Sequence, residues 1–168
     1  NIDISTEQGV NNAVAALKSV SIDLLINNAG ILRDESLTDL NTATIIEQFN
    51  VNALAPLALT HALLANLAEG SKIAMITSRM GSLKDNTSGG RYGYRMSKAA
   101  LNIASLSLAQ DLAPKGVSVG IYHPGWVQTD MGGSSAEISV TQAVDGLVDR
   151  FSELSLETTG CFKTWDGS

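Results

Sequence analysis

The chain reads as an α/β protein built on a parallel sheet, and three observations carry that reading. Short strand-like segments alternate with longer helical ones along its 168 residues. The strand segments are apolar throughout instead of alternating, as strands covered on both faces are. Polar residues able to do chemistry fall just past the carboxyl ends of those segments, where open α/β sheets place their sites.

Each element has its own signal. Residues 11–20 carry Ala, Val and Leu at helical spacing. Residues 22–27 (IDLLIN) form a short apolar strand, and 35–40 a loop. A long helix is expected over 42–68, interrupted near Pro56. Proline has no N–H, so it cannot bond the carbonyl of Asn52, four residues back, and the helix is expected to kink there. Residues 72–77 (KIAMIT) are the next strand, and the polar, Gly-rich stretch 82–91 is a surface loop. A helix over 92–112 follows, apolar on nearly every side and stopped by Pro114 and Gly116. Residues 117–122 (VSVGIY) are a third strand, 132–139 a loop of small residues, 140–154 a helix and 160–165 a last strand. No repeat, low-complexity tract or linker divides the chain, so residues 1–168 are expected to form one domain.

Composition narrows the function classes. Hydrophobic content of 44% with 17% charged residues suits a buried core. A net charge of −6 argues against a nucleic-acid groove or a polybasic membrane patch. No apolar run approaches the roughly 20 residues of a membrane span. Cys161 is the lone cysteine and reads as a small buried hydrophobe, which fits a reducing, cytoplasmic setting. His61 and His123 have no ligand partner at metal-binding spacing, so no metal site is expected.

The strongest chemical signal is Tyr94 with Lys98, four residues apart on one helix face. A phenol rarely exchanges a proton near neutrality unaided, and a nearby ammonium is expected to pull its pKa down. The pair reads as a general acid/base. Ser78 ends the 72–77 strand, where its hydroxyl can donate to a developing alkoxide, with Ser82 a rival by spacing. Asn27-Asn28-Ala29-Gly30 and His123-Pro124-Gly125 end two other strands. These elements, in this order, resemble the short-chain dehydrogenase/reductase family. Arg79-Met80-Gly81-Ser82 and Gly125-Trp126-Val127-Gln128-Thr129-Asp130-Met131-Gly132-Gly133 resemble its C-factor and sniffer-like carbonyl reductase branch.

The resemblance implies a Rossmann-like doubly wound sheet in which strands 4-5-6-7 of the family are present. It implies an NAD(P)-dependent oxidoreductase that interconverts a small carbonyl and a secondary alcohol. Asn52, Ser78, Tyr94 and Lys98 would be its catalytic set, with the Asn52 carbonyl holding a water that links Lys98 to solvent. Asp3, Asn27, Ala29, Gly30, Pro124, Gly125, Val127 and Thr129 would contact NADP(H) or NAD(H), together with Tyr94 and Lys98. Met80, Trp126 and Met131 would wall the substrate pocket. The helices over 42–68 and 92–112 would build a homo-oligomer, a dimer or tetramer.

The family's opening strand, Gly-rich turn and helix have no counterpart among these residues. None of the fifteen glycines falls in a Gly-x-x-x-Gly-x-Gly or Gly-x-Gly-x-x-Gly pattern. About 60 residues, two βαβ units, are expected upstream in the intact protein. Without them the cofactor is expected to bind weakly. The alternative reading is a non-catalytic remnant or fragment that acts through protein–protein contacts.

Overall fold

The computed structural model describes residues 2–168, and its four strands form one parallel sheet in sequence order. β1 (Leu24–Asn27), β2 (Lys72–Ile76), β3 (Ser118–His123) and β4 (Phe162–Thr164) lie side by side. Leu25 pairs with Ile73, Ile73 with Val119, and Ile121 with Phe162. This is the expected strand order. The strands are shorter at their ends than the apolar runs suggest. Ile22 is held outside β1 by Asn66 and Ser71, and Gly160, at φ 81°, turns the chain before β4.

Helices cover both faces. Ile73, Met75, Val117 and Val119 pack against Leu101, Ala109 and Leu112 of α4 (Tyr92–Leu112) and against Ala53. On the other face Ala74, Ile76 and Tyr122 pack against Leu147 and Phe151 of α5 (Val140–Glu153). The Tyr122 and Phe151 rings meet edge to face, 5.0 Å between centroids. β1 is an edge strand, and its Leu24 and Ile26 side chains remain exposed.

Two helices depart from the sequence expectation. α1 spans Glu7–Ala16, not 11–20. Thr6 starts it early, its hydroxyl accepting the Gly9 N–H at 3.0 Å, with Glu7 in the positive first turn. The helix expected over 42–68 is instead α2 (Thr42–Phe49), a π-helical turn (Asn50–Leu54) and α3 (Ala55–Ala62), followed by a 3₁₀ turn (Leu64–Asn66). Where a kink is expected, the turn widens, and the Ala55 N–H reaches back five residues to the Asn50 carbonyl. Beyond Ala62 the helix cannot continue. The Asn66 amide donates to the carbonyls of Leu17 and Val20, at 2.6 and 2.7 Å, and Gly70 at φ 90° turns the chain toward β2.

Candidate active site

Beyond the carboxyl end of β2, Ser78 caps a short 3₁₀ turn (Arg79–Gly81), its Oγ accepting the Met80 N–H at 3.1 Å. That turn lies directly on the backbone of α4. A Cβ built on Gly81 would sit 2.8 Å from the Lys98 carbonyl carbon and 2.9 Å from the Ala99 nitrogen, so only glycine allows the approach. The contact brings Ser78 beside the Tyr94 phenol. Ser82 is engaged elsewhere, its Oγ accepting the Asp85 N–H at 3.3 Å.

Tyr94 and Lys98 are both buried, 8% and 4% exposed. The Lys98 Nζ lies 5.8 Å from the Tyr94 ring centroid and donates to the Ile76 carbonyl at 2.9 Å. Burial disfavours the ammonium and lowers its pKa from 10.5 to about 8. For Tyr94 the direction is opposite to the expected one. Burial raises its pKa, and hydrogen bonding with Ser78 and the charge of Arg91 pull back less strongly. Removal of the phenol from water outweighs the Ser78 hydrogen bond and the Arg91 charge, so Tyr94 holds its proton at neutral pH.

The loop after β1 meets this pair at Gly30. A Cβ there would lie 3.3 Å from Asn52 Oδ1 and 3.5 Å from Lys98 Nζ. Asn52 is wholly buried in the π-helical turn and braces that loop. Its Oδ1 accepts the Ile31 N–H and its Nδ2 donates to the Ile31 carbonyl, both at 2.8 Å. The same Nδ2 donates to Ser97 Oγ at 3.0 Å, and Ser97 donates to the Tyr94 carbonyl at 2.8 Å. Asn27 ends β1 buried, its Nδ2 donating to Thr60 at 3.3 Å and its Oδ1 without a partner among the described residues. Ala29 is exposed beside it.

After β3 the chain passes Pro124 and turns at Gly125, φ 88°, where a side chain would strike Ile138 and Trp165. Val127 bridges to Ile138. Thr129 caps the next turn, accepting the Gly132 N–H at 3.1 Å, and Trp126 Nε1 donates to the Gly132 carbonyl at 2.8 Å. Trp126 and Met131 are about half exposed, which sets them outside the core. Met80 lines a cleft of about 560 Å³ with Asp34, Glu35, Arg91 and Arg95. Asp3 stands apart from these groups. Its carboxylate accepts the Ser5 N–H and hydroxyl, at 3.0 and 2.7 Å, in the turn before α1.

Two buried polar groups near the site, Ser97 and the acceptor Glu35, escape sequence reasoning. A polar residue three positions after Tyr94, on a face otherwise apolar, is the available signal for Ser97. His123, to which the sequence assigns no chemistry, sits buried with Nδ1 unpartnered among the described residues. Burial together with the Arg79 charge lowers its pKa to about 4.

The profile of the short chain dehydrogenase family matches residues 1–139. The chain is 45% identical to C-signal of Myxococcus xanthus over 150 residues, 88% of this chain and 90% of that protein. Its structure is similar to the carbonyl reductase Sniffer of D. melanogaster, with TM-score 0.90 and 33% identity, covering 100% of this chain and 75% of that one. It is similar also to the NADPH-bound carbonyl reductase from chicken fatty liver, with TM-score 0.89 and 30% identity, covering 99% and 74%. These matches bear out the C-factor and sniffer-like branch.

Proposed function

Because the chain belongs to the short-chain dehydrogenase family, an oxidoreductase family, we propose that it serves the interconversion of a small carbonyl and a secondary alcohol, with Tyr94 as the proton-transfer group. The observation that carries this reading is the convergence of Ser78, Tyr94, Lys98, Asn52 and Gly30 beyond the carboxyl ends of β1 and β2.

The raised pKa of Tyr94 suits carbonyl reduction, because the group is protonated when the substrate arrives. Its O–H proton passes to the carbonyl oxygen as negative charge develops there. Ser78 hydrogen-bonds the same oxygen and spreads that charge. Lys98, still largely cationic at neutral pH, stabilises the phenolate left behind. The Asn52 carbonyl, which Pro56 cannot bond, is the proposed relay point from Lys98 toward solvent. In the reverse direction Tyr94 accepts the alcohol proton.

A nicotinamide cofactor supplies the hydride in this scheme. The residues present fit its nicotinamide-ribose end. Among the described residues Lys98 has one acceptor, the Ile76 carbonyl, for three N–H groups, and toward the adenosine end Asn27 offers a buried oxygen without a partner. Ala29, Gly30, Pro124, Gly125, Val127 and Thr129 complete the proposed contacts. Met80, Trp126 and Met131 flank the proposed substrate side.

The reading extends to assembly and location. Ile46, Leu54 and Leu57 on α2–α3, and Met96, Ile103 and Leu106 on α4, are exposed apolar groups suited to a contact between copies. No helix among the described residues is long and apolar enough to cross a membrane, and the proposed compartment is the cytoplasm.

Kinetics test the catalytic part. With NADPH and 2,3-butanedione, in a form of the protein that turns over, Tyr94→Phe is expected to lower kcat by roughly 10² to 10⁴ and Ser78→Ala by a similar factor. Wild-type kcat in Tyr94→Phe, at unchanged stability, would refute the role given to it.

A further inference from the structure

α4 begins without a cap of its own. Arg91, the residue before it, sits in the left-handed region at φ 50° and its side chain bonds none of the first-turn N–H groups. The acceptor comes instead from the loop after β1. Glu35 is buried, and its Oε2 accepts the Gly93 N–H at 3.2 Å, one residue before Tyr94. Its backbone carbonyl accepts the Arg91 N–H at 2.7 Å, and neighbouring Asp34 accepts from Arg91 Nε at 2.7 Å.

The other carboxylate oxygen is held as firmly. Glu35 Oε1 accepts from Thr44 Oγ1 at 2.8 Å and from Gln48 Nε2 at 2.5 Å. The Gln48 amide cannot be turned over. Its Oε1 accepts the Arg33 N–H at 2.9 Å, and its Nε2 also donates to the Thr44 carbonyl at 3.2 Å. The Gly93 and Gln48 N–H groups, from two helices, therefore converge on two oxygens that must both accept, and the single Thr44 hydroxyl proton is shared between Glu35 Oε1 and the Asn41 carbonyl at 2.9 Å. A carboxylate meets that demand, and a side-chain amide does not. Negative charge at a helix N-terminus is also favoured by the helix dipole.

We propose that Glu35 is a positioning residue for Tyr94: its buried carboxylate caps the first turn of α4 and ties it to α2, fixing where the phenol stands. This rests on the proposed role of Tyr94. Glu35 touches neither the phenol nor Lys98 and acts through Gly93 and the backbone. Glu35→Gln sets an NH₂ against the Gln48 NH₂ and loosens the turn. The exchange Glu35→Gln with Gln48→Glu restores most of the pairing. The carboxylate then at position 48 accepts from the Arg33 N–H and from the amide NH₂ at position 35. The amide oxygen at position 35 accepts from Gly93, the Thr44 hydroxyl gives its proton to the Asn41 carbonyl, 2.9 Å away, and the Thr44 carbonyl goes without its donor.

The test is ¹³Cζ-tyrosine NMR on the 168-residue chain, titrated with base, with Tyr94→Phe assigning the Tyr94 signal among the three tyrosines. Tyr122, buried on the α5 side of the sheet with its own pKa raised by burial, is the internal control. In Glu35→Gln the Tyr94 midpoint is expected to fall toward the ordinary phenol value as water reaches the loosened turn, with Tyr122 unmoved. The double exchange is expected to return it to the wild-type position. An unchanged Tyr94 midpoint in Glu35→Gln, a Tyr122 signal that moves with it, or a double exchange without recovery would each overturn the proposal. In a form that turns over NADPH and 2,3-butanedione, Glu35→Gln is expected to lower kcat about 10-fold or more with KM unchanged. Retained turnover in Tyr94→Phe would instead remove the catalytic reading and leave the NMR result standing.

Discussion

Replacing Lys98 with methionine is expected to stabilise the fold at neutral pH while removing the cation beside Tyr94. Lys98 is 4% exposed and its acceptor is the Ile76 carbonyl at 2.9 Å. Burial lowers its pKa from 10.5 to about 8, so below pH 8 the folded chain carries a charge that the unfolded chain solvates better. At about 1.36 kcal/mol per pH unit, that depression is worth about 3 kcal/mol against the fold. Methionine matches the length, carries no charge, and forfeits a hydrogen bond worth about 1 kcal/mol. The net gain at pH 7 is about 2 kcal/mol, or about 4–8 °C in Tm for a chain of this size. The pH dependence fixes the cause. Between pH 8 and 10.5 the folded wild type has lost its proton and the unfolded chain has not, so wild-type stability rises with pH. Above 10.5 both states are neutral at this position and the penalty is gone. Urea unfolding of both proteins from pH 6 to 11, followed by circular dichroism, reads the difference directly. A Lys98→Met protein less stable than wild type at pH 7, or a gap that stays constant across the range, would refute the reasoning.

Three further outcomes are expected. Gly93→Ala drives a Cβ into Gln48, to 2.9 Å from Ile45 Cα and 3.0 Å from Glu35 Oε1, and the overpacking is expected to lower stability by about 2 kcal/mol in denaturant titration despite alanine's better helix propensity. Ser139→Ala removes the hydroxyl half of the capping box, the bond from the Gln142 N–H to Ser139 Oγ at 3.2 Å, while the backbone N–H at position 139 keeps Gln142 Oε1 at 3.0 Å, and it is expected to cost about 1 kcal/mol in thermal unfolding. Light scattering at micromolar concentration is expected to give a dimer or larger assembly, because exposed Ile103 on α4 and Leu24 and Ile26 on the β1 edge are left for a partner to cover; a 17.6 kDa monomer would contradict it.

Sheet order is legible in the sequence because apolar runs such as KIAMI and the β3 segment are buried along almost their whole length, and burial on two faces leaves a direct trace in composition. Helix ends are less legible. The start of α1 depends on Thr6 capping a turn that contains Gly9, and the end of α3 on Asn66 bonding carbonyls more than forty positions earlier in the chain. Among the candidate site residues, those whose type and spacing carry a signal, such as Tyr94 with Lys98, can be read directly. Glu35 cannot. Its significance lies in Thr44, Gln48 and Gly93 arriving around it, and only the packing of α2 on α4 shows that. The direction of the Tyr94 pKa escapes the sequence for a related reason. The lysine partner is visible there, but the depth of burial, which outweighs the Ser78 hydrogen bond and the Arg91 charge, is a property of the assembled sheet and helices.

The wide turn at Asn50–Leu54 also governs how this stretch tolerates change in length. A regular α-helix advances about 100° per residue, and the wide turn absorbs one extra residue without that advance. Deleting one residue there would let the turn tighten to ordinary α geometry, and the lost residue and the lost width offset each other, so α3 would keep its facing relative to α2. A deletion within α2 that left the wide turn in place would instead swing everything beyond it by about 100°. Thr60, now buried against the Asn27 amide, would then rotate away from it, and an exposed leucine such as Leu57 would be carried toward a different neighbour. Across residues 42–62, then, the wide turn is the place where the count of residues can change at least cost to the packing on either side.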